Sequence, residues 1–215
     1  RPTASGSNPS ATTTCALPAK LKGVDVSVIP GDARVVALTF DAGASADGVD
    51  PILATLAERK APASFFLTGD FASAFPEVSR LIAASHPIGN HSQNHPDLTK
   101  LSDAEVRTEL RDAQASIKRA TGVDPRPYFR FPFGAVDART IGIVNAECYV
   151  PFRWTVDSLG WKGTSGGMSA DKVFQRVVDA LRPGAIVLMH VGANPDDGTT
   201  LDADALGRMI DEVRA

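Results

Sequence analysis

No apolar run in these 215 residues approaches the ~20 needed to cross a bilayer as a helix. The longest apolar blocks, such as Ala185 to Met189, are strand-sized. A basic excess is lacking too, since 22 Lys and Arg face 25 Asp and Glu, for a formal net charge of -3. Without a basic footprint, neither nucleic acid nor an anionic membrane surface is an expected partner. A signal peptide is absent, and the chain opens at Arg1 without a methionine, so it reads as a mature or trimmed form. Cysteine is scarce, with only Cys15 and Cys148. What remains, 43% hydrophobic residues over this length, fits one globular domain, expected to act as a monomer.

Residues 1–22 read as an N-terminal linker and residues 23–215 as the domain. Positions 1–19 are rich in Thr, Ser, Ala and Pro with no hydrophobic period, and bury too little apolar surface to offset their ordering entropy. Two readings fit this stretch: a tether leading from a membrane or wall anchor, or a disordered tail on a cytosolic protein. The first is the expectation, and it makes the protein secreted or exported and associated with the cell envelope. An exported chain could bridge Cys15 to Cys148 and pin its N-terminal segment, whereas two free thiols are the alternative. The bridge is the expectation, although spacing alone does not show whether the Cα atoms come within the ~7 Å limit.

Short apolar runs alternate with helical patterns. The runs are Val35 to Phe40, Ala63 to Leu67, Pro87 to Asn90, Tyr128 to Phe131, Tyr149 to Trp154 and Ala185 to His190. Most are continuous rather than alternating, as in parallel strands buried on both faces. A helix is expected after Asp50-Pro51, where proline suits a first helical position. Another opens on the capping-box pattern Ser102 to Glu105, carries Val106, Leu110, Ala113 and Ile117 on one stripe, and stops near Gly122. A third starts near Ser169, and a last one carries Leu206, Met209, Ile210 and Val213. This alternation argues for a parallel α/β domain, either a barrel or an open sheet.

Polar residues gather at the ends of these runs. Asp41 follows the first, His91 and His95 the third, Asp157 the fifth, Arg130 lies in the fourth and His190 closes the last. In a parallel barrel the C-terminal strand ends share one face, and that face holds the active site. His91 and His95 have i, i+4 spacing, which on a helical turn lets both imidazoles grip one ion. Asp41 could cap the next segment, or take a proton from metal-bound water. Arg130 could be an ordinary ion-pair partner, or could hold Asp41 in place and ionised. His190 could be a satisfied core histidine, or could protonate a leaving group. His86 fits no role and reads as structural.

Taken in order, Thr39-Phe40-Asp41, HSQNH at 91–95, RFPFG at 130–134, DSLGW ending at Trp161, and IVLMH at 186–190 resemble the polysaccharide deacetylase family. These are the family-four carbohydrate esterases with the nodulation-type deacetylase domain, and the likeness covers about residues 33–210. The resemblance implies a distorted, incomplete (β/α) barrel of parallel strands. It also implies a metal-dependent hydrolase removing N-acetyl groups from N-acetylglucosamine glycans such as peptidoglycan or chitin, or O-acetyl groups from xylan. By the same analogy Asp41 is the general base, His91 and His95 hold a divalent metal, expected to be zinc, and Arg130 orients the base. The backbone N–H near Phe133 helps hold the oxyanion, Trp161 and Leu188 wall the acetyl pocket, and His190 is the general acid.

Two departures stand out. The family usually has a second aspartate after the base as the third metal ligand, and here that residue is Ala42, so weaker metal binding is expected, and the alternatives to a deacetylase are an esterase or amidase for another acyl group on a sugar, or a catalytically impaired glycan-binding homologue. It also usually has an aspartate before the motif tryptophan that tunes the general-acid histidine, and here that residue is Gly160. Asp157, also assigned to substrate binding, is the expected compensation, approaching His190 or the metal.

Overall fold

Strands with apolar residues on both faces need cover on both sides, and a ring of helices around a curled sheet supplies it. The computed structural model describes residues 15–215; most of the Thr/Ser/Pro-rich stretch, residues 1–14, lies outside them. Seven strands form one sheet: β1 (Val36–Ala42), β2 (Ser64–Leu67), β3 (Ile88–Asn90), β4 (Tyr128–Phe129), β5 (Val150–Pro151), β6 (Val156–Asp157) and β7 (Ala185–His190). Their order is β5-β4-β3-β2-β1-β7-β6, and every ladder is parallel. The sheet curls without closing, which is the incomplete (β/α) barrel. Across its open side, Val26 N–H donates to Pro151 O (2.9 Å), and Ile29 N–H donates to Gly184 O (2.8 Å). One extended segment thus touches both β5 and the entry to β7.

Strand periodicity sorts β1 into two faces. Leu38, Phe40 and Ala42 join the main core, which also takes Ile52 and Leu56 of α1 (Val49–Glu58), Val173 and Val177 of α6 (Ala170–Val178), and Leu206, Met209 and Ile210 of α7 (Leu201–Arg214). Each fully buried Leu or Ile contributes ~1.5–3 kcal/mol relative to exposure. Thr39 and Asp41 alternate with these residues and point into the curl, toward Arg130.

Both halves of the expected capping box form at α4 (Asp103–Thr121), whose C-cap Gly122 takes φ 77. Glycine carries that left-handed turn without a Cβ clash.

Several expected boundaries move. β1 runs on through Asp41 to Ala42, so the aspartate lies within the strand. β4 and β5 are shorter than their apolar runs, and a proline stands at each end: Pro132 follows Arg130-Phe131, and Pro151 closes β5. Proline has no N–H to give a ladder. The two-residue β6, and the helices α2 (Gly69–Ala74), α3 (Pro76–Ser85) and α5 (Ala138–Ala146), were not anticipated from the sequence. Leu17 and Leu21 pack against the small cluster of Val26, Val150 and Ile186. Just before them, Cys15 and Cys148 are bridged, with Cα atoms 5.1 Å apart. None of the described helices is long and apolar enough to cross a membrane.

Candidate active site

Register brings the polar residues to one end of the sheet. Asp41 pairs with His190 across β1 and β7, and Asn90 pairs with Phe129 across β3 and β4. His91 and Arg130 therefore follow at the same level. Two lobes of a groove, each about 450 Å³, meet there and share Asp41, His91, His95, Trp161 and His190. Phe133, Asp157 and Leu188 line one lobe. Arg130 stands behind Asp41, fully buried, instead of on the groove wall.

Each nitrogen of that guanidinium is used. Nη1 donates to Asp41 Oδ1 at 2.7 Å, Nη2 to Thr39 Oγ1 at 2.9 Å, and Nε to Phe152 O at 3.0 Å. Its flat face lies 4.2 Å from the centre of the Phe66 ring. Burial alone would raise the Asp41 carboxyl, but Arg130, with His91 and His190, outweighs it and holds the group below the usual carboxylate range. Asp41 is thus an ionised carboxylate at neutral pH.

The imidazoles do not sit on a helical turn, contrary to what their spacing predicts. Residues 91–95 form a loop with Ser92 at φ 67 and His95 at φ 60, two left-handed residues that fold the rings together. Side chains hold this loop. Asn90 Oδ1 accepts from Ser92 N–H (2.8 Å), Ser92 Oγ from His95 N–H (3.0 Å), and Glu109 Oε2 from the N–H groups of Gln93 (2.9 Å) and Asn94 (3.0 Å). Backbone strain that neighbouring groups hold in place in this way marks many functional sites.

His91 Nδ1 lies 2.9 Å from Arg130 O. A carbonyl only accepts, so Nδ1 carries the proton and Nε2 is left with a free lone pair. That atom is 3.1 Å from His95 Nε2 and 3.3 Å from Asp41 Oδ2. Burial lowers the basicity of both rings, and His91 beside it helps bring His95 down to about 4. Two neutral imidazoles whose Nε2 atoms converge at this separation fit a tetrahedral ion with ligands at ~2.0–2.1 Å. The third position does not fit. Ala42 is fully buried on the apolar side of β1, and among the described residues no three His, Cys, Asp or Glu side chains are arranged to hold a metal.

The compensation expected of Asp157 is not what the structure displays. Asp157 Oδ2 accepts from Trp161 Nε1 (3.2 Å) and Oδ1 from Leu159 N–H (2.9 Å), so it braces the tryptophan wall. The carboxylate at His190 is Asp202, from the first turn of α7, which the sequence reading did not single out. Its only sequence signal is an acid near a helix start, where acids are common. Phe133, 69% exposed at φ 59, packs against the His95 ring, and Trp161, 45% exposed, faces His190 across the groove. His86 lies away from the site and tilts against Phe65.

The polysaccharide deacetylase family model matches residues 29–149. The peptidoglycan-N-acetylglucosamine deacetylase of Bacillus cereus is 31% identical over 186 residues, covering 86% of this chain and 65% of that protein. A chitooligosaccharide deacetylase of Azorhizobium caulinodans is 31% identical over 166 residues, covering 77% of each. Among solved structures, a CE4 family pseudoenzyme from Bacillus anthracis superposes with a TM-score of 0.81 at 28% identity, covering 89% of this chain and 64% of that one. The chain belongs to the polysaccharide deacetylase family. It spans just under two thirds of the length of the Bacillus cereus relative.

Proposed function

We propose that the protein is a hydrolase that removes N-acetyl groups from N-acetylglucosamine-containing glycans of the peptidoglycan or chitin type. The observation that carries this reading is an ionised Asp41, locked by Arg130, facing the paired Nε2 atoms of His91 and His95, with His190 on the neighbouring strand. His91 and His95 would hold a divalent ion, zinc being the one their chemistry suits. When bound, such an ion polarises the acyl carbonyl and acidifies water.

The chain's own residues do the rest. Asp41 takes the proton of the attacking water, and Arg130 keeps the base fixed and charged. A peptide N–H near Phe133 receives the developing oxyanion. His190 gives a proton to the departing sugar amine, so that acetate and free amine leave. Trp161, braced by Asp157, and Leu188 wall the acetyl group. The pairing of Cys15 with Cys148 supports an exported protein working at the cell envelope. Mass analysis without reductant is expected to find those two peptides linked, and two alkylatable thiols would count against export.

Free acetate released from N-acetylglucosamine oligomers and from peptidoglycan, with and without added zinc, tests the activity. Acetate release that rises with zinc, and that vanishes in the His91→Ala/His95→Ala variant, is the expected result. The buried Ala42 favours one second reading, a glycan-binding homologue impaired in catalysis. Oligomer binding without acetate at any zinc concentration would establish that reading in place of the first.

A further inference from the structure

Asp202 is 3% exposed, yet it sits in the first turn of a helix whose opposite end reaches the surface. Its Oδ2 accepts the backbone N–H of His190 at 2.8 Å and lies 4.0 Å from the Nδ1 of the same residue. Two buried polar atoms here make no close hydrogen bond, His190 Nδ1 and Asp202 Oδ1, although the Ser158 hydroxyl lies near enough to the Asp202 carboxyl to favour its charged form. Unpaired polar atoms in an interior are costly, and the native exceptions call for an explanation. The unpaired Oδ1 faces Gly160, while the unpaired Nδ1 approaches the other oxygen, Oδ2, of the same carboxylate.

Gly160 explains why the carboxylate fits. It is buried against Asp202, and a Cβ there would overlap Oδ1 and lie 2.5 Å from Cγ. No side chain can occupy position 160 while Asp202 keeps its place. The other acids near His190 are already engaged: Asp41 of β1 is held by Arg130, and Asp157 of β6 by Trp161 and the Leu159 N–H. Trp161 Nε1 points to Asp157 and so leaves the His190 ring free.

We infer that Asp202 is the positioning residue for His190, orienting its ring through Nδ1 so that Nε2 is left to the groove, in space that the missing side chain of Gly160 makes available. This rests on His190 being the proton donor of the proposed hydrolysis. A carboxylate at Nδ1 fixes which ring nitrogen bears the proton and stabilises the charged ring, the two properties a proton donor needs.

Asp202→Asn keeps the acceptor for His190 N–H and removes only the charge. In hydrolysis of an N-acetylglucosamine oligomer it is expected to lower kcat by roughly tenfold or more with KM within about twofold. The alkaline limb of the pH–kcat profile should change as well, because the carboxylate that faces the ring is gone. A helix-start acid of purely structural value would leave that limb in place, and an unchanged kcat and limb would overturn the inference. Gly160→Asp in an Asp202→Ala background returns a carboxylate from the other side, and should recover about tenfold in kcat over Asp202→Ala alone; no recovery in a folded protein counts against it. Nitrogen-15 shifts of the neutral His190 ring need no turnover. The parent should carry the proton on Nδ1 and Asp202→Ala should not, and identical ring spectra would overturn the inference. A parent that releases no acetate but shows this difference would sink the deacetylase reading and leave the Asp202–His190 contact standing.

Discussion

The two acids of the site, Asp41 and Asp202, are equally hidden from solvent and differ in every other respect. Asp41 lies on β1 inside the sheet and faces a guanidinium whose nitrogens are all satisfied. Asp202 faces an imidazole, at the start of a peripheral helix, beside an unpartnered Nδ1. Burial pushes both carboxyls up. Arg130 reverses the shift at Asp41, whereas at Asp202 burial prevails over His190 and Ser158 and leaves the group at about 6. A permanently charged partner fixes a protonation state, while a partner that can itself be neutral leaves one open to pH.

The largest effect is expected from breaking the fixed half. Arg130→Met roughly keeps the volume but leaves a buried carboxylate alone, so urea unfolding at neutral pH should show a loss of ~3–5 kcal/mol. An Arg130→Met protein as stable as the parent would mean that Asp41 has another countercharge. Next in size, Asp41→Asn should retain the fold, because its amide oxygen still accepts from Arg130, while turnover falls by ~100-fold or more. Near-parental acetate release would remove Asp41 from the proton transfer.

The pH dependence of stability sharpens the contrast further. Asp41, with its folded value lowered, adds stability above its unfolded value near 3.8 that disappears as pH falls through the folded value. Asp202, with its value raised, acts in the opposite sense. Its contribution is complete below 3.8 and is lost as pH rises through about 6. Asp202→Asn should therefore flatten the decline in stability across that window, by roughly 2–3 kcal/mol at one pK unit per ~1.4 kcal/mol. A parent curve that the substitution leaves unaltered would put Asp202 among ordinary surface acids. The smallest effect belongs to the rim. Trp161→Phe keeps the wall and loses the 3.2 Å bond to Asp157 that braces it, so KM should rise by at most about fivefold, the ~1 kcal/mol such a bond can contribute to holding the ring. No change in KM would leave that bond without a part in binding.

The groups at the strand ends were far more legible in the sequence than Asp202 or the local shape of the loop at 91–95. Asp41, His91, His95, Arg130 and His190 could be read from strand ends because strand periodicity and parallel register send C-terminal residues to one face. The same logic is silent about left-handed residues that are not glycine, so the loop that turns Ser92 and His95 resembled a helical turn. It is silent about Asp202 for another reason. An acid two residues into a helix is ordinary in sequence, and its significance comes only from a tertiary neighbour on β7. The two-residue β6 and six-residue α2 are too short to present a period at all.

The contact between Gly160 and Asp202 also makes the two positions rivals for one space. A Cβ at 160 would fall on the Asp202 carboxylate, so aspartates at both positions could coexist only if Asp202 left its present rotamer and its bond to the His190 N–H. The site therefore has room for one carboxylate beside His190, and a side chain at 160 displaces the one at 202. The glycine is in this sense the empty half of a shared seat.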